Sequence, residues 1–99
     1  MPEDTLTKNR IGKMIKDYRE RNDLTQLDFA KMIGYNYGNF IGMIESGRSV
    51  FPLAKGKWMD YAKAINADPT EFLLKALCDV YPEMESHLLP LLDMYKKKK

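Results

Sequence analysis

Apolar residues recur at helical spacing along almost the whole chain. Ile11, Met14, Ile15 and Tyr18 fall at i, i+3, i+4 and i+7, which predicts a helix over 6–21 with Lys13, Lys16 and Arg21 off the stripe. Residues 1–5 are expected to be a frayed arm, and Asn22-Asp23 ends the helix. The next pattern has a strong start. Thr25 is an N-cap residue, Asp28 three positions on gives a capping box, and Leu24 can staple to Phe29. Leu27, Ala30 and Ile33 are expected to face inward, with Gly34 as the stop. A third helix is predicted from Asn36, with Ile41 and Ile44 inward and Gly47 as its end. Tyr37, Gly38, Asn39, Phe40 and Gly42 are weak helix formers, so this helix needs tertiary support. After a loop over 48–56, a helix over 53–66 carries Trp58, Tyr61, Ala62 and Ile65 at core spacing. Asp68-Pro69-Thr70-Glu71 then opens a fifth helix, with Asp68 as cap, Pro69 in the first turn and Glu71 completing a capping box. Phe72, Leu73, Ala76 and Leu77 give it an inward face. A sixth begins near Pro82, where Pro90 is expected to kink or break it. No stretch alternates with the period of a strand, so the fold class is all-α.

The chain's 99 residues allow one domain, and the apolar 44% suffices for one small core. The reading is a domain over 1–80, a further helix over 81–95 and a lysine tail over 96–99. Burial is modest at this size, so dimerisation would add stability. Met84, Leu88, Leu91, Leu92 and Tyr95 make an apolar stripe that is the expected dimer interface; folding back onto its own domain is the alternative for this helix. The net charge of +2 says little, but its distribution says more. Residues 1–58 hold ten Lys/Arg and seven Asp/Glu, whereas 59–95 hold two Lys and seven Asp/Glu. A basic front and an acidic rear fit one face for phosphate and another for protein. The lysine tail is a solvated end that adds at most weak nonspecific DNA affinity.

Candidate chemistry is sparse. Cys78 stands alone, so no internal disulfide is possible, and its neighbours Leu74, Ala76, Leu77 and Val80 make it a small core residue. His87 has no Cys or His partner nearby, so no metal or other cofactor is expected. No nucleophile–base pair or phosphate-cradling glycine loop occurs, and an enzyme is not expected. No apolar run is long enough to span a membrane and no signal-peptide pattern is seen, so a cytoplasmic location is expected.

What remains distinctive is the pair of short helical patterns between Leu24 and Gly47, the kind of unit that presents one helix to the major groove of DNA. The residues Leu24-Thr25-Gln26, Phe29-Ala30, Gly34, Ile41, Ile44-Glu45-Ser46-Gly47, Pro52 and Ala62-Lys63-Ala64-Ile65 resemble the phage-repressor/Cro (XRE) family of helix-turn-helix domains over about residues 11–73. The run from Gly34 to Glu45, followed by Asp68 to Phe72, looks like a subgroup of small bacterial and phage regulators. The chain departs from the family by one extra residue between Gly34 and Glu45, near 35–38, which leaves the base-facing register open by one position.

The resemblance implies a five-helix lambda-repressor-like domain, here with an additional C-terminal helix. It implies a sequence-specific transcriptional regulator, a repressor or autoregulator, binding an inverted-repeat operator in double-stranded DNA as a homodimer. Counted back from Glu45, the base-facing positions are Tyr37, Gly38, Asn39 and Met43. Asn39 is suited to pair with adenine, and Met43 or Phe40 to touch a thymine methyl. Gln26, Asn36, Arg48 and Lys55 are the implied phosphate contacts. An ion pair between Arg19 and Glu45 is implied as a structural tie. Gly38, Gly42 and Phe40 have packing as their alternative role. The alternative function is an antitoxin-like or other interaction module whose acidic rear meets a protein partner while its front binds its own operator.

Overall fold

Helices form wherever a local stop and start punctuate the apolar stripe. A computed structural model describes residues 9–98, so the expected arm over 1–5, the helix start near residue 6 and Lys99 lie outside it. Among the described residues there are six α-helices: α1 Arg10–Arg21, α2 Gln26–Met32, α3 Asn39–Glu45, α4 Trp58–Ala64, α5 Pro69–Val80 and α6 Glu85–Lys97. Single 3-10 turns at Leu53–Lys55 and Pro82–Met84 precede α4 and α6. No described residue is in a strand, and the all-α class stands. Among the described residues no helix is long and apolar enough to cross a membrane.

Local signals place α2 and α5. Thr25 Oγ1 accepts from the Asp28 N–H at 3.0 Å, and Asp28 Oδ2 accepts from the Thr25 N–H at 2.9 Å. These bonds hold the Asp28 carboxyl below the usual carboxylate range. At α5 the Asp68 carboxylate accepts from the Glu71 N–H at 3.0 Å, with Pro69 in the first turn. Gly34 and Gly47 follow α2 and α3 with φ of +91° and +81°, where a side chain would be strained.

Several expectations need correction. α3 starts at Asn39, not near Asn36; Gly38 is its N-cap position and no side chain caps it. The expected helix over 53–66 is split by Gly56 in the left-handed region, leaving α4 only two turns long. Leu27 is 40% exposed rather than inward, because Phe29 and Ala30 take the buried side of α2. α6 runs through Pro90 without breaking. Ser86 and Pro90 are both exposed, so the carbonyl deprived of a donor meets solvent, while Leu88 and Leu92 on either side pack inward.

The core joins α1 through α5. Ile11 and Ile15 of α1 meet Phe29 and Ala30 of α2, Ile41 and Ile44 of α3, and Tyr61, Ala62, Phe72 and Ala76 behind them. Phe51, in the loop after α3, packs edge-on against Tyr61 at 4.8 Å and Phe72 at 5.5 Å, so the loop is pinned by its own core aromatic. Cys78 is buried, and burial raises its thiol's pKa, which suits a packing role.

The packing of α6 is mainly on α5. That revises the expected dimer interface: Leu88 and Leu92 are buried within their own chain, and the Tyr95 hydroxyl donates to Asp68 at 3.0 Å. A side chain already covered by its own domain has no apolar area left to bury against a partner. Met84 and Leu91 remain exposed, together with Tyr81 and Met94.

The start of α1 is capped from far away. Asn9, at its N-cap position, makes no side-chain cap. Instead Asp79, at the end of α5, accepts from the Ile11 N–H at 2.9 Å and the Arg10 N–H at 3.2 Å, and Arg10 also pairs with Glu85 at 2.6 Å. A carboxylate there satisfies donors that the helix itself leaves free. Burial pushes the Asp79 carboxyl upward, against the pull of those amides and of Arg10. A raised value means that the folded chain holds the proton more tightly than the unfolded one. Asp79's contribution is therefore fully present below the ordinary aspartate value of about 3.9 and is lost as pH rises through the raised one. Asp79→Asn, neutral at every pH, should remove that slope. Urea unfolding across pH would reveal it, and parallel pH profiles for the two proteins would contradict it.

Candidate nucleic-acid interface

The residues between α2 and α3 decide what α3 exposes. Six residues, 33–38, connect the two helices, against the three or four of a tight helix-turn-helix turn. The extra length is taken up by an aromatic cluster. Tyr35 and Phe40 meet edge-on at 4.6 Å, and Tyr37 joins Phe40 at 5.6 Å. Lys57 clamps this turn from α4's side: its Nζ lies 4.8 Å from the Tyr35 ring centroid and donates to the Ile33 carbonyl at 3.1 Å. A cation at the end of α2 also complements that helix's dipole. Lys57 has no special mark in the sequence, and its role follows only from the fold.

α3 is anchored from behind. Arg19 of α1 meets Glu45 in a two-pronged pair, Nε to Oε2 at 2.8 Å and a terminal nitrogen to Oε1 at 2.9 Å. Arg19 also donates to the Leu24 carbonyl at 3.0 Å, so one guanidinium ties α1, the start of the α2 region and α3 together. Its pairing with Glu45 raises its already high pKa, so it stays charged. The Asn9 amide donates to the Glu45 carbonyl at 2.7 Å, satisfying an acceptor at α3's end. Gly38 lies against the backbone of Gln26 and Leu27, where a Cβ would come within 2.9 Å of the Leu27 nitrogen. This is a packing position, which corrects the expectation of base contact there. Gln26 is half-buried beside Gly42, and its amide donates to Glu45 at 3.3 Å.

The outward side of α3 is what remains. Asn39 in the first turn, Met43 one turn on and Ser46 at the helix end are all exposed. Their i, i+4, i+7 spacing puts them on one face. Tyr37, 59% exposed, stands just before this face, and Asn36 is exposed in the bend. Arg48 follows, its Nε donating to Ser46 Oγ at 3.2 Å. Ser46 went unmarked in the sequence as a contact residue, although counting seven from Asn39 finds it. Lys55 lies farther along the loop, exposed and with no ion-pair partner among the described residues. The structure thus gathers Asn39, Met43 and Ser46 on one strip with Tyr37 and Arg48 at its ends, and places Gln26 and Gly38 behind it.

No family model, curated protein or solved structure matches this chain. Among the described residues no group of three His, Cys, Asp or Glu side chains is arranged to hold a metal.

Proposed function

We propose that this chain is a sequence-specific DNA-binding regulator of the helix-turn-helix kind, acting as a repressor or autoregulator on an inverted-repeat operator. The observation that carries the reading is the exposed Asn39–Met43–Ser46 strip on a short helix that Arg19 and Asn9 bond, and Gly38 packs, from behind. An amide, a thioether and a hydroxyl are the groups that read base edges and thymine methyls, and they are useful only if the helix beneath them does not move. Asn39 is the principal base contact. Tyr37 and Met43 flank it. Arg48, Lys55 and Asn36 meet phosphates, and Gln26 does so with the amide N–H that Glu45 does not take.

One domain reads one half-site, so the active species is a homodimer. Its surface is the exposed apolar set Met84, Leu91 and Met94 of the last two elements, in place of the full stripe first expected. The same set lies in the acidic third of the chain, which keeps an interaction module with a basic protein partner as the second reading. Selection of bound sequences from random duplex DNA, with the solution mass recorded alongside, separates the two. Half-sites about one helical turn apart, bound by a dimer, fit the regulator; no enriched sequence and a co-purifying second chain favour the module. On the selected operator, Asn39→Ala should cost about 1–3 kcal/mol while leaving affinity for random DNA intact. Competition binding at fixed salt measures both, and an equal loss on the two DNAs would remove Asn39 from the base-reading role.

A further inference from the structure

A cleft opens beside the aromatic turn, bounded by Tyr35, Tyr37, Phe40 and Ile44 on one side and by Ser49, Val50, Pro52 and Lys55 of the loop on the other, with Tyr61 of α4 also lining it. Its volume is about 240 Å³. That lies just under the range of roughly 300–1,000 Å³ usual for ligand sites, so it suits a single ring and excludes a nucleotide. Three rings already meeting edge-on offer a fourth ring the same contacts.

Among the polar residues that line the cleft, Ser49 included, two stand out. Tyr61 is only 1% exposed, and its hydroxyl is buried with no hydrogen-bond partner among the described residues. An unmet buried hydroxyl works against stability. Burial also pushes this phenol far above its usual value, so it remains a proton donor in want of an acceptor. The hydroxyl is closed to solvent, so an occupant that bonds to it has to displace the side chains over it. The second group is Lys55, an unpaired cation lining the same cleft.

We propose that this cleft binds a small single-ring aromatic carboxylate carrying a polar ring substituent, with the carboxylate on Lys55 and the substituent accepting from Tyr61. Its occupation has a direct consequence for DNA, a step that rests on the regulator reading above. The ligand takes Lys55, assigned there to phosphate, and crowds Tyr37, assigned to the DNA face. Binding of the acid and binding of DNA therefore oppose each other, and the acid acts as an inducer.

The test starts without DNA, so that its failure is distinct from failure of the regulator reading. The full ¹⁵N-labelled chain is titrated with 4-hydroxybenzoate and, as neutral control, 4-hydroxybenzamide. Amide shifts confined to the neighbourhood of Tyr37, Phe40, Ser49 and Val50 are expected, with the acid binding about tenfold more tightly than the amide. Lys55→Met should weaken the acid about tenfold and leave the amide unaffected. Tyr61→Phe should weaken both, while its thermal midpoint stays at or above that of the parent, since it sheds an unmet hydroxyl. No shifts up to millimolar acid, shifts elsewhere, equal affinity for acid and amide, or indifference to either substitution would overturn the site. If the acid binds there yet leaves affinity for the selected operator unchanged, the site stands and its role as an inducer pocket is overturned.

Discussion

Arg19→Ala is expected to lower the unfolding free energy by about 3 kcal/mol, the lower end of the loss when one half of a buried ion pair is removed, since this pair is only partly buried. Glu45 keeps only 5% of its side-chain surface exposed and Arg19 14%, so the orphaned carboxylate has little access to water. The substitution also strips the Leu24 carbonyl of its donor. Total stabilities of about 5–15 kcal/mol are typical, so the variant should sit near the edge of folding. Urea unfolding gives the measurement, with a lower midpoint at an unchanged slope. The double variant Arg19→Ala/Glu45→Ala should recover part of the loss, since it leaves no buried charge behind. A loss below about 1 kcal/mol would mean that water screens this pair as it does a surface one.

Gly12→Ala should come close to this in effect, against the intrinsic preference of helices for alanine. A Cβ at Gly12 would fall well inside contact distance of the Ile44 carbonyl oxygen and of the Asn9 side chain. Backbone cannot yield cheaply, and the displaced Asn9 amide would release the Glu45 carbonyl. Overpacking of about 1–3 kcal/mol with the loss of one partly buried hydrogen bond makes a total near 3 kcal/mol. For a domain of this size that lowers the thermal midpoint on the order of 10–20 °C. Gly42→Ala is the natural control, since its new Cβ would meet only the flexible end of Gln26 at 3.0 Å. Calorimetry of the two variants distinguishes steric contact from a general effect of losing a helical glycine. Similar midpoints for both would show that α1 and α3 are not in close contact at Gly12.

What could be read from the sequence is what depends on neighbours in the sequence. The Thr25–Asp28 box and the Asp68 cap on the Glu71 amide each join residues three positions apart, and both caps form where the sequence places them. The start of α3 was misplaced for the converse reason. Asn36 is a good cap in isolation, but Gly38 seated on the α2 backbone and the Tyr35–Phe40 cluster settle where the helix begins. Phe51 looked like a loop residue because no periodic partner flanks it, and it became core through contacts with Tyr61 and Phe72. The stripe on α6 was visible as apolar, yet periodicity does not say whose surface covers it; α5 covers Leu88 and Leu92. At the candidate interface, Asn39 and Met43 were legible from a count back from Glu45. Lys57 and Tyr61 were not, since one acts on a carbonyl 24 positions away and the other is marked only by a hydrogen bond it lacks.

The cap that Asp79 places on α1 joins the chain's first described helix to a carboxylate 68 residues downstream. During synthesis α1 therefore leaves the ribosome long before its cap does, and its leading amides depend on water until α5 arrives. A fragment cut after α4 would keep every residue of α2 and α3 yet lose what completes the helix that braces them. The front of the chain is thus completed only when its rear has been made.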